Sequence, residues 1–97
     1  MPEGMPILAR LKLAVIKRDN CSCQICGKEG IYTDHYGPRV IEKLNERIYD
    51  YDGKYYEKEI AFEFDHIFPR NSGGKNALDN LQLLCRKCNK KKGAKIA

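Results

Sequence analysis

Two CxxC turns, Cys23-Gln-Ile-Cys26 and Cys85-Arg-Lys-Cys88, stand near opposite ends of a 97-residue chain. Each offers two thiols on a tight turn, and Gly27 after the first supplies the positive φ that such turns need. Four thiolates suit one tetrahedral Zn²⁺. The long gap between the turns means that the metal would clamp the two ends of the domain together. With four protein ligands the site is closed, so its expected role is structural. Pairing Cys21 with Cys26 would leave four residues between them, a worse knuckle, so Cys21 reads as a spare buried thiol. A thiolate-ligated iron centre has the same ligands, but nothing else in the chain points to electron transfer.

The odd cysteine count, five, argues against a disulfide framework. The apolar N-terminal stretch is broken by Arg10 and Lys12 and has no small-residue cleavage site. No apolar run approaches the roughly 18 residues that span a membrane. The expected setting is therefore reducing and cytoplasmic, without membrane contact. A chain of this length forms one domain with a modest core that gains from a metal staple.

Residues 7–18 lack Gly and Pro and place Ile7, Leu8, Leu11, Ala14 and Val15 at helical spacing, which predicts an N-terminal helix. Arg10, Lys12, Lys17 and Arg18 would line its outer faces. Asp19-Asn20 ends it. Residues 31–61 hold all six tyrosines and read as an acidic insertion, packed beside the core or forming a self-association surface. Within it, Val40–Arg47 fits a short helix or a strand. Arg47–Glu59 fits a β-hairpin with Asp52-Gly53 at the turn. Ile60–Ile67 alternates as a strand that Pro69 ends. Ser72-Gly73-Gly74 suggests a flexible loop, Leu81–Leu84 a second strand, and Asn89–Lys92 a short helix closed near Gly93.

The net charge is +5, yet residues 85–97 alone carry Arg86, Lys87, Lys90, Lys91, Lys92 and Lys95 with no acid. Such a cluster suits a phosphate-rich partner or, more blandly, a solvated tail. Beside it lie Asp65-His66 at the end of the apolar run, and Asn89 directly after the second knuckle. An Asp carboxylate and an Asn carbonyl are hard oxygen ligands for Mg²⁺ or Mn²⁺. A histidine can take a proton from water near neutral pH. In a regular strand Asp65 and His66 face opposite sides, so both reach one site only if the strand ends or bulges there. Asp34-His35-Tyr36-Gly37-Pro38 repeats the D-H-x-x-P spacing but lacks the preceding apolar run and the following loop and knuckle. His35 therefore reads as a surface or hairpin residue.

The series Asp65-His66-Ile67-Phe68-Pro69, Gly73-Gly74, Leu78-Asp79-Asn80-Leu81, Cys85-x-x-Cys88-Asn89 and Lys92-Gly93 resembles the HNH endonucleases. The first helix, Arg18-Asp19 and Cys23-x-x-Cys26 resemble the zinc-bound subgroup. The resemblance covers residues 8–30 and 62–93, and residues 31–61 depart from the family's shorter connection. It implies an α+β fold: a small ββα-metal (His-Me finger) domain stapled by the four-cysteine zinc site, with an N-terminal helix and an inserted β-hairpin. It further implies a DNA endonuclease in which Asp65 and Asn89 hold Mg²⁺ or Mn²⁺. His66 is the implied general base, and Asn80 steadies the loop that carries it. Arg86, Lys87, Lys90, Lys91 and Lys92 would hold phosphates, with Arg70 near the scissile bond. The family's settings suggest a bacterial or phage-infected cell, with a phage terminase or another DNA-processing protein as a partner, and a monomer or weak homodimer. The competing expectation is a zinc-ribbon module that binds nucleic acid without cutting it.

Overall fold

The computed structural model describes residues 6–42, 47–49, 51–57 and 59–93. Helix α1 spans Ala9–Arg18. Leu8 is its extended N-cap, so Ile7 and Leu8 precede the helix that the spacing started at residue 7. Lys17 and Arg18 occupy the last turn, where cations complement the carbonyl end of the dipole. Asp19 ends the helix, and Asn20 and Cys21 follow with positive φ, which turns the chain into the first knuckle.

Three antiparallel pairs follow among the described residues. Strands β1 (Ile31–Thr33) and β2 (Arg39–Ile41) form the first pair. Strands β3 (Arg47–Tyr49) and β4 (Tyr55–Glu57) form the second, with Tyr49 opposite Tyr55. This second pair is the hairpin expected over 47–59, and Gly53 takes the positive φ of its turn. Strands β5 (Glu63–His66) and β6 (Leu81–Leu84) form the third. The β5 strand is shorter than the Ile60–Ile67 pattern. Ala61 instead forms an isolated bridge to Ile41, so the run changes partner part-way along. Helix α2 spans Arg86–Lys92 and starts three residues before the expected Asn89, because Cys85 itself is its N-cap.

The core joins α1, β2 and β6. Val15, Ile16, Val40, Phe62, Leu81, Leu83 and Leu84 are buried together with Cys23 and Cys85. Each such apolar side chain contributes about 1.5–3 kcal/mol by leaving water. Val40 has no exposed surface, and its carbonyl accepts from Phe62 N at 2.7 Å. The proximal part of the 31–61 segment is thus built into the core, not laid beside it. Its fit is tight: a Cβ on Gly30 would lie 2.3 Å from Val40 Cγ1. Residues 43–46 of the Val40–Arg47 expectation fall outside the described residues, while its ends, 40–41 and 47, are strand. No described helix is long and apolar enough to cross a membrane.

Arg18 and Asp19 fasten α1 to β6. Asp19 Oδ2 accepts from Leu83 N at 2.8 Å. Arg18 binds Asp19 through Nε at 2.8 Å and also donates to the carbonyls of Leu78 and Leu81. Arg18 was expected on an outer face of the helix. It stays exposed, yet its guanidinium reaches across to the 3-10 turn Leu78–Asn80 and the start of β6. Gln24 N donates to Leu83 O at 2.9 Å, so the first knuckle also hangs on β6.

Candidate active site and metal centre

The Sγ atoms of Cys23, Cys26, Cys85 and Cys88 all lie within 4.8 Å of one another. Cys26 and Cys85 are 3.7 Å apart. Zn–S bonds of about 2.3 Å in a tetrahedron put sulfurs roughly 3.8 Å apart, so the cluster fits Zn²⁺. Backbone N–H groups support it: Cys26 N faces Cys23 Sγ at 3.5 Å and Cys88 N faces Cys85 Sγ at 3.4 Å. Burial raises the Cys23 thiol, but N–H groups of Cys26, Cys85 and Ile25 outweigh it and bring it down to about 6. Contact with Cys85 pushes Cys88 up to about 12, and burial raises Cys85. Crowded thiols titrate as a set, so one ionises readily and later ones resist. A dication relieves that resistance. Cys21 lies outside the cluster and packs half-buried against the core.

A second, separate site opens at the end of β5. There a groove of about 360 Å³ is lined by residues that include Phe64, Asp65, His66, Arg70 and Asn89. The strand stops at His66, and Ile67 N bonds Asn80 O at 2.9 Å as a last rung in the same register. Asp65 and His66 are both among the residues that line this groove. The register sets Asp65 opposite Gln82, and Gln82 Nε2 donates to Asp65 Oδ2 at 2.9 Å. His66 Nε2 lies 2.6 Å from Asn76 Oδ1. Asn89 comes from the middle of α2, one residue after Cys88, and its amide nitrogen donates to Glu63 Oε2.

Asn80 stands behind the groove. Its Oδ1 accepts from Phe68 N at 2.8 Å, while its Nδ2 donates to Phe68 O at 3.1 Å and Lys75 O at 2.9 Å. One side chain thus ties both limbs of the 67–75 loop. That loop is not a flexible spacer. Arg70–Ser72 make a 3-10 turn, and Gly74 N bonds Pro69 O at 2.9 Å.

Residues 53–95 match the HNH endonuclease family.

The match runs from the β3–β4 turn through α2 and takes in the groove and the second knuckle. The family that this segment matches is one of endonucleases. No match was found among curated proteins. The first knuckle lies outside the matched residues, but the fold brings it to the cysteines of the matched segment.

Of the cations expected to hold phosphates, Arg86, Lys87, Lys90 and Lys91 are exposed along α2, and Arg70 lines the groove. Lys92 departs from that expectation. It is only 8% exposed, and its Nζ lies 2.9 Å from Asp65 Oδ2 and 3.2 Å from Oδ1. The helix turns this position toward β5, where a buried carboxylate needs a cation. Lys12, also expected on an outer face, has its Nζ 5.7 Å from the centre of the Phe64 ring. His35 is exposed in the β1–β2 turn against Tyr36, away from the groove lining. Residues missed from the sequence are Glu63, Asn76, Gln82 and the inward role of Lys92. Glu63 was findable, since it shares a strand face with Asp65. Gln82 follows once β5 and β6 are put in register. Asn76 has no such signal.

Proposed function

We propose that residues 1–97 act as one nuclease domain that hydrolyses DNA phosphodiester bonds with the help of Mg²⁺ or Mn²⁺. The observation that carries this reading is the convergence of Asp65, His66, Arg70 and Asn89 on one groove beside the cysteine cluster. Asp65 and Asn89 would hold the divalent ion, and their oxygen donors suit a hard cation. Such an ion supplies charge neutralisation for a pentavalent phosphoryl group and the departing 3′ oxygen.

The chain's own groups supply the rest. An amide oxygen only accepts, so the His66 nitrogen facing Asn76 Oδ1 carries the proton in the neutral ring. The lone pair is then on Nδ1, where it can take a proton from the attacking water. Asn80, by fixing Phe68 and Lys75, keeps the loop after His66 in place. Arg70 in the groove wall suits a phosphate of the cleaved strand. Arg86, Lys87, Lys90 and Lys91 on α2 suit flanking phosphates without reading bases.

The test is plasmid nicking with Mg²⁺, Mn²⁺ or no divalent ion. His66→Ala is expected to lower the rate by about 10²–10⁴-fold, the usual share of a general base. Zinc content and melting temperature should stay unchanged. Undiminished nicking by that variant sinks the assignment of the base. Retention of DNA with no metal-dependent cleavage by the wild type would instead identify a binding module.

A further inference from the structure

Glu63 lies two residues before Asp65 on β5, and alternation along a strand puts the two on one face. Its Oε2 accepts from Asn89 Nδ2 across the contact between β5 and α2. An ionised carboxylate has no proton to give, so it can face only the NH₂ end of the amide. The Asn89 amide thereby has a defined orientation, with Oδ1 as the end left for another partner. Asn89 is among the residues that line the groove, whereas Glu63 is not.

We propose that Glu63 is a positioning residue that turns the Asn89 carbonyl oxygen toward the groove for a divalent cation. This rests on the reading of Asn89 as a ligand. Two effects follow from the contact. The amide cannot rotate to present its NH₂ group, which repels a cation. The negative charge beside Nδ2 also polarises the amide and makes Oδ1 a stronger donor. Asp65 is held differently, since Lys92 touches both of its oxygens and Gln82 one of them.

The experiment measures Mn²⁺ binding by electron paramagnetic resonance, on the zinc-loaded full chain without DNA. Zinc content and thermal melting verify that each variant is folded. Glu63→Ala is expected to weaken Mn²⁺ binding by about 10-fold or more, the usual effect of losing a support behind a ligand. Glu63→Gln keeps an acceptor oxygen but loses the charge and gains an NH₂ group that can face Asn89 the other way, so it should recover only part of the affinity. Asn89→Ala should weaken binding at least as much as Glu63→Ala, and adding Glu63→Ala to it should cost nothing further. If Asn89→Ala weakens binding and Glu63→Ala does not, the positioning role is overturned while the ligand stands. If Glu63→Ala still weakens binding when Asn89 is already alanine, Glu63 acts through its own charge and the proposal fails. If Asn89→Ala leaves Mn²⁺ affinity unchanged, the ligand reading fails and the positioning role fails with it.

Discussion

Lys92 and Asp65 have exchanged water for each other, with each residue 8% exposed. Removing one partner of such a pair strands the other charge in the interior, at a cost of about 3–5 kcal/mol. Lys92→Ala is therefore expected to lower unfolding free energy by that amount in urea titrations. Lys87→Ala, on the exposed side of the same helix, should change it by less than about 0.5 kcal/mol. In the sequence these two lysines look alike, because a charge run says nothing about which member a seven-residue helix turns inward. Asn80 is the opposite case. The resemblance implied a role in steadying the loop, and the Asn80 side chain bonds Phe68 and Lys75. Asn80→Ala removes three hydrogen bonds, each of about 0.5–1.5 kcal/mol. The direct readout is the Phe68 amide, which loses its acceptor and should exchange with solvent markedly faster than in the wild type.

Among the elements, the 67–75 loop is the most constrained piece of backbone around the groove. A Cβ on Gly74 would lie 1.7 Å from the Phe68 carbonyl oxygen, a backbone atom that cannot swing aside. Gly74→Ala should thus cost about 1–3 kcal/mol from overpacking and should displace the loop that follows His66. Gly73→Ala meets nothing within 4 Å and carries only the strain of a φ of +95°. Thermal melts together with nicking rates separate the two, since Gly74→Ala should lose both and Gly73→Ala chiefly stability. A Gly-Gly pair in sequence suggests slack, whereas here one glycine turns the chain and the other makes room for it. The remaining elements were legible to unequal degrees. β5, β6 and the β3–β4 hairpin follow from alternation and turn residues. The β1–β2 pair escaped notice because each strand has only three residues, too few for a period of two to stand out. The start of α2 was misplaced because a cysteine can cap a helix with its sulfur, and Cys85 accepts from Cys88 N in that way.

At the scale of the whole molecule, the cysteine cluster joins Cys23 and Cys26 to Cys85 and Cys88, and the Asp19–Leu83 bond crosses 64 residues beside it. Zinc bound by four thiolates contributes folding energy directly. Stripping it with a thiol-competing chelator should melt the chain in circular dichroism and abolish nicking. Added Mg²⁺ alone should not restore activity, whereas Zn²⁺ followed by Mg²⁺ should. The joining of distant segments also bears on how the protein is made. Val15, Ile16 and Val40 have no β6 to bury against until residues 81–84 have left the ribosome. Asp65 likewise has no Lys92, and the first knuckle no second pair of sulfurs. A nascent chain stopped anywhere before α2 therefore lacks both the clamp and part of the groove. The groove and the clamp are therefore complete only once α2 has been made, because Asn89 and Cys88 both belong to it.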